Sequence, residues 1–504
     1  MLMKVSRLMF LVVALLLLVS APALASELKV AQVADISSMD PHKVNDVYSA
    51  NVIRQVYSNL VQVNELMQII PDLAESWENP DNLTWVFHLR KGVKFHNGEP
   101  VTAADVKFTL DRLRNPSTAA PGASHVKEIK SVEVVDDNTV KLITERPYAP
   151  MLMSLTRYEA VILNQKAVEE AGADYGSKVA VGCGPYKFIS WSRGDKIILE
   201  RNEEYFGGPA KIERLVFRSI PEDGTRLIEL ESGGIDLIPA NFPYAEFTSF
   251  RENENFKTYT CPAMATNYLG LDVEAKPLDN KLVRQAINYA VDKQAIVDAV
   301  YFGLGMPAQG PLSPVIWGFD FNRMAVYPYN PDKAKELLAE AGFADGFEMT
   351  IFCDARTERT STAELIQAFL ADIGVTAKIE LMEWSALLTE TAKGIGGGFL
   401  LGWTGTGDAD GGLVPIIHTV NIGSSNRFRY SNKELDDLLD RGGAELDEDT
   451  RRQIYVEAQD LIVDECPLIF LAVQEITAAS SNKVEGFKPY PNFISPLHGV
   501  SLAE

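Results

Sequence analysis

The stretch GWTGTGDADGG (402–412) sets two carboxylates, Asp408 and Asp410, on a glycine-rich turn beside the hydroxyls of Thr404 and Thr406. Such residues could chelate calcium, border a phosphate, or pair with the ammonium of a solute. Calcium fails on spacing. With Asp408 and Asp410 at positions 3 and 5 of an EF-hand loop, Gly411 takes position 6, but Thr406 falls at position 1 and Ile417 stands where the bidentate glutamate belongs. Phosphate fails on identity. Gly407 and Gly412 have the P-loop interval, yet Leu413 and Val414 replace the required lysine and serine or threonine. Two carboxylates would also repel a phosphate. On its own residues the stretch is a solvated turn or the lip of a cleft.

Nothing else in the chain assembles a catalytic or metal set. The histidines, His42, His88, His96, His125, His418 and His498, include no H-E-x-x-H or other compact ligand spacing. A G-x-S-x-G elbow is absent, so an exported hydrolase, the reading from a different functional class, has no nucleophile motif. Cys183, Cys261, Cys353 and Cys466 lie far apart with no C-x-x-C pair, which excludes a zinc ribbon or redox motif. Export would permit up to two disulfides among them, and no pairing is assigned. The expectation is a non-enzyme with no cofactor and no metal.

The N-terminus supports export. Lys4 and Arg7 precede an apolar run, Leu8 to Val19, and then APALAS, in the order of a secretory leader cleaved after Ala25. That run is too short to span a bilayer as a stop-transfer helix, and no Cys near the cleavage site offers a lipid anchor. The remaining length exceeds one hydrophobic core, so at least two lobes are expected. The net charge of −22 disfavours nucleic acid and anionic membrane surfaces as partners.

The elements that must carry the lip mix helices and strands throughout. Thr102 to Asp105 resembles a capping box opening a helix to Arg114, between strands over 84–90 and a hairpin over 131–144. The run 281–301 reads as the strongest amphipathic helix, with Val283, Ala286, Ile287, Ala290, Val297 and Val300 along one face. Helices from Pro331 to Gly342, over 361–374, from Ser431 to Asp440 and over 450–464 alternate with strands over 346–352, 375–381 and 398–403. This is an α/β pattern of sheets with helical cover, in which ligands favour interdomain crevices and strand ends. The lip follows such an end.

The order of segments resembles family 5 extracellular solute-binding proteins, the peptide/nickel class serving ABC importers. The match is carried by DLAESW (72–77), FHLRKGVKFHNGEPVTAADVKFTLDRL (87–113), GCGPYKF (182–188), LERNEEYFGGP (199–209), LDNKLVRQAINYAVDKQAIV (278–297), YNPDKAKELLAEAGFADGF (329–347) and GWTGTGDAD (402–410). The resemblance implies a two-lobed, Venus-flytrap protein with mixed sheets. Domain I would comprise 26–60, 185–270 and 478–504, domain Ib 61–184, and domain II 271–477. It implies a periplasmic, monomeric protein that closes around a small peptide or peptide-like solute and delivers it to ABC permease subunits in the inner membrane. A nickel chelate, haem or an oligosaccharide is the alternative solute.

The resemblance also implies site residues. Dipeptide and oligopeptide binders of this class place the aspartate that pairs with the peptide's amino group three residues after the tryptophan, where this chain has Thr406. The tract from Gly407 to Asp410 is closer to the loop of glutathione-binding relatives, which makes Asp408 and Asp410 the expected amine partners. Asx-type turn residues are the alternative for both. Trp403 would stack on the ligand or fill the core, Thr404 and Thr406 would offer hydroxyls, and Arg356 would take a carboxylate through its planar fork or lie on the surface. Met39 and Asp40 fall where relatives bring an N-terminal loop to the cleft.

Overall fold

One strand decides the architecture. Leu468–Ser481 runs for 14 residues and is buried along nearly all of them. Its first half pairs antiparallel with Ala265–Leu271, from Gly270↔Leu468 to Asn267↔Ala472. Its second half pairs with Phe256–Pro262, from Pro262↔Glu475 to Phe256↔Ser481, and on the other edge with Leu237–Ile238. A 12-stranded sheet therefore passes without a break from one half of the molecule to the other. On one side it continues through Glu27–Gln32, Arg214–Ser219, Lys196–Arg201 and Tyr186–Ser192; on the other, through Gly398–Thr404, Glu348–Cys353 and Thr376–Leu381. The computed structural model describes residues 26–322 and 327–503. The expected leader, 1–25, lies outside the described residues, none of whose helices is long and apolar enough to cross a membrane.

The parallel pairs demand crossovers, and the helices supply them. Glu348–Cys353 pairs parallel with Thr376–Leu381, joined by the helix Thr357–Ala371. Two clusters of buried side chains cover this half of the sheet, one around Ile287, Ile366 and Leu471, the other around Phe399, Phe428 and Tyr455. A separate four-stranded antiparallel sheet, Ala74–Asp81, Thr84–Leu89, Thr139–Thr144 and Ile129–Asp136, packs on the helix Ala103–Arg114. The capping box expected there forms, with the Asp105 carboxylate accepting from both Thr102 N and Oγ1.

Some local expectations shift. The run 281–301 is two helices, Lys281–Ala290 and Lys293–Val300. Asp292 interrupts it, accepting from Ala295 N at 3.0 Å as an N-cap and competing with helix continuation. The helix expected from Ser431 starts instead at Lys433, because Asn432 takes the cap position. All four cysteines are free, three of them buried.

Met39 and Asp40 belong to the joint between the N-terminal segment and the four-stranded unit. Met39 is fully buried, and its N–H donates to Gly176 O at 2.7 Å. Asp40, also fully buried, is gripped by both Nη atoms of Arg112, at 3.0 and 2.7 Å. Burial pushes the Asp40 pKa up, but the hydrogen bonds and charge of Arg112 outweigh it and hold the group below the usual carboxylate range. Burial first, and Arg112 second, push His42 down to about 4, so its neutral Nδ1 accepts from Arg112 at 2.7 Å.

Truncating Asp40 leaves the half-buried guanidinium of Arg112 without its carboxylate and with His42 Nδ1 beside it. Asp40→Ala is expected to cost about 3–5 kcal/mol, read as a lower urea midpoint at pH 7. Because the folded pKa of Asp40 is depressed, the wild-type advantage is present above pH 4 and shrinks as acid titrates the carboxylate through its folded value.

Candidate functional site

Two cavities lie on either side of the same two chain segments. The smaller, about 200 Å³, is bordered by Asn45, Asp46 and Val47, by Asn492 and Ile494, by Met67 in the turn between Val61–Val63 and Ile69–Pro71, by Met153 of the helix Met151–Leu155, and by Thr404 to Gly407. The larger, about 760 Å³, is bordered by Tyr48, Phe493, Arg226, Tyr301, Arg356, Arg359 and Gln474. Walls from both ends of the long sheet and from the segments that carry Met67 and Met153 face each other there, so the cavities occupy one cleft between lobes.

The loop that ends the strand Gly398–Thr404 supplies the rim of the smaller cavity. Its second half is a helix, Ala409–Ile417, where a turn reads from the glycines alone. Asp408 is the reason. It caps that helix, accepting from Asp410 N at 2.9 Å. Both its oxygens also take the fork of Arg451, at 2.8 and 2.6 Å, with Asp408 5% and Arg451 6% exposed. Arg451 in turn stands 4.3 Å over the ring of Trp317, whose backbone exchanges hydrogen bonds with Gly407 and Ala409. Asp408 is thus engaged inside the lobe and borders neither cavity.

Asp410 also points inward. Its Oδ1 accepts from Tyr455 at 3.4 Å, and it borders neither cavity. Burial first, and the charge of Asp408 second, push its pKa up to about 7, against the opposing pull of Arg451. Trp403 is a frame residue by its contacts, since its indole Nε1 donates to Gly411 O at 3.1 Å and its ring packs on the core. Thr404 and Thr406 do reach the smaller cavity. The glycines serve close approach within the chain itself: a Cβ at Gly405 would stand 2.7 Å from Gly411 O, and one at Gly407 would stand 2.9 Å from Met153 Cε.

Arg356 borders the larger cavity, but its guanidinium is already paired with Asp354 at 2.6 Å and stands 4.9 Å over Trp384. One turn along the same helix, Arg359 differs. Its Nη1 donates to the main-chain Leu401 O at 2.9 Å, and among the described residues no carboxylate pairs with it. Burial pulls its pKa down, so the fold works against the charge it displays to the cavity. Arg359 was not among the sequence candidates, although it stands three residues after Arg356 in DARTER (354–359), a spacing that puts both near one another. Met39 and Asp40 border neither cavity; Asp46 and Tyr48, a few residues on, do. His418 lies outside both and approaches Asp436 at 3.4 Å.

Comparison with known proteins bears on what this cleft is for. Residues 68–424 match bacterial extracellular solute-binding proteins, family 5 Middle. The chain is 31% identical over 503 residues to a glutathione-binding protein of Pectobacterium atrosepticum, covering 97% of this chain and 96% of that one. It is 34% identical over 480 residues to heme-binding protein A of Haemophilus influenzae, covering 89% and 87%. Among solved structures, the periplasmic binding protein DppA of Helicobacter pylori, in complex with the peptide STSA, superposes with a TM-score of 0.81 at 32% identity, covering 95% of this chain and 99% of that one.

The raised pKa of Asp410 has a measurable consequence. The folded chain holds this proton to about pH 7, whereas the unfolded chain releases it near 3.8, so folding takes up a proton between those values. Stability contributed at this position therefore falls as pH rises from about 4 to 7 and then levels. Asp410→Asn is expected to flatten that slope and to raise the thermal midpoint at pH 8, with a gain of up to about 1.4 kcal/mol for each pKa unit removed, less whatever partial solvent access already screens. Scanning calorimetry from pH 4 to 8 on both proteins reads it.

Proposed function

The chain belongs to the family 5 bacterial extracellular solute-binding proteins, and from that premise we propose that it captures a short peptide or peptide-like acid between its lobes and delivers it to an ABC permease. As a family 5 protein it is a substrate-binding component of an ABC importer. The solute class, the permease, a periplasmic and monomeric state, and the absence of catalysis are our reading. The division into domain I (26–60, 185–270, 478–504), domain Ib (61–184) and domain II (271–477) is kept as part of it.

One observation carries the solute class. Arg359 brings a guanidinium with no carboxylate partner among the described residues to the wall of the larger cavity. A partly buried cation with no counter-ion in contact is costly, and a solute carboxylate that meets it offsets that cost through charge-assisted hydrogen bonds. The relatives named for glutathione and for a bound peptide take solutes that carry such a group. Neither cavity wall includes a histidine or a cysteine, which favours a peptide-like acid over a nickel chelate or haem held by those ligands. Thr404 and Thr406 remain solute contacts in this reading. Trp403, Asp408, Asp410, Met39 and Asp40 are framework, and Arg356 orients the neighbourhood of Arg359.

Arg359→Gln is expected to weaken binding of a free-acid dipeptide such as Leu-Ala by about 10- to 150-fold, the loss of roughly 1.5–3 kcal/mol for hydrogen bonds to a charged group. The same substitution should leave binding of the C-terminal amide within a factor of about two. Isothermal titration of both ligands against both proteins measures it; equal losses for acid and amide would sink the carboxylate assignment.

A further inference from the structure

Neither aspartate of the rim loop faces the cleft, so the smaller cavity draws any attraction for a cation from elsewhere. Asp46 is the carboxylate on its wall. Asp46 caps the helix Val47–Val56, accepting from Ser49 N at 2.7 Å through Oδ1. Its Oδ2 accepts from Ser37 Oγ at 2.7 Å and Ser49 Oγ at 2.8 Å. All three donors are neutral. No lysine or arginine among the described residues forms an ion pair with it. The carboxylate is fixed in direction by its serines, but its charge has no counter-ion in contact. Two oxygens offer about four acceptor positions, and three are used.

Neither arginine on this wall contacts Asp46. Arg157 is paired with Glu159 through Nη2 at 2.8 Å and Nε at 3.2 Å. Arg54 gives its fork to Asn59 Oδ1 at 2.6 Å and Gln62 Oε1 at 2.8 Å. Val63, Met67, Met153, Met264 and Ile494 form the apolar part of the wall, with Tyr158, Tyr490 and Asn492 beside them and the Thr404 to Gly407 rim. Thioethers and branched alkyls suit an aliphatic side chain of variable shape.

We propose that Asp46, rather than either aspartate of the rim loop, receives the solute's free α-ammonium, with an aliphatic N-terminal side chain seated among Met67, Met153 and Met264. This rests on the peptide reading above and narrows it to α-peptides with an apolar first residue. It also gives the solute a direction. The amino end lies in the smaller cavity, and the chain passes along 46–48 and 492–494, which border both spaces, to the carboxylate partner at Arg359. The helix cap and the ligand contact use different acceptor positions of one carboxylate, so Asn at 46 keeps the cap while removing the charge.

Titration calorimetry with Leu-Ala, Glu-Ala and N-acetyl-Leu-Ala on the full mature protein tests this. Wild type should bind Leu-Ala at least tenfold more tightly than either of the others. Asp46→Asn should erase the preference for Leu-Ala over its acetylated form, whereas Asp408→Asn and Asp410→Asn, checked by circular dichroism for folding, should keep it. N-acetyl-Leu-Ala binding as well as Leu-Ala to wild type overturns the assignment, as does a preference that survives Asp46→Asn and disappears in Asp410→Asn. Glu-Ala matching Leu-Ala overturns the methionine-walled side-chain site. Each of these leaves the peptide reading standing. If none of the three ligands binds, the peptide reading and this assignment fall together.

Discussion

Fourteen residues of one strand hold the two halves of this protein in a single hydrogen-bonded sheet. Leu468–Ser481 pairs with Ala265–Leu271 over its first half and with Phe256–Pro262 over its second, and the turn between those two partners crosses at the same level. A ladder of main-chain bonds resists shear within each half but leaves the point where partners change as the place where the halves can bend. The cleft lies over that change of partner. Met264 sits in the crossing turn and Gln474 at the matching level of the long strand, and each borders one of the two cavities.

Around that frame, the charges divide into those paired within the protein and those with no opposite charge in contact. Asp408 with Arg451, Asp40 with Arg112, and Arg356 with Asp354 are bidentate pairs whose desolvation is compensated within the fold. They set positions: the first fixes the rim loop, the second the joint to the four-stranded unit, the third the start of the helix that carries Arg359. Arg359, in the larger cavity, and Asp46, in the smaller, are each oriented by neutral partners and touch no opposite charge, and Arg54 on the smaller cavity's wall is held by neutral partners as well. A zwitterionic chain lying between Arg359 and Asp46 would meet both.

Much of the fold was legible along the chain because it is encoded locally. Short apolar and β-branched runs became the strands Thr84–Leu89, Gly398–Thr404 and Thr376–Leu381, and cap signals at Thr102 and Asn330 opened helices where they stood. The family was legible because its segments recur in order. Where local reading erred, a second local signal had been outvoted, as when Asp292 split the apolar run over 281–301.

The candidate site was legible only in part. The sequence placed GWTGTGDADGG at the end of a strand and offered Thr404, Thr406 and Arg356 as candidates at a cleft. Which way each side chain faces was decided by tertiary structure. The partner that turns Asp408 inward, Arg451, is 43 residues away on another helix, and the Asp40 partner, Arg112, is 72 residues away. Whether a charged group is spent or available depends on what long-range packing brings within hydrogen-bond reach, and the bare spacing of residue types carries no record of that.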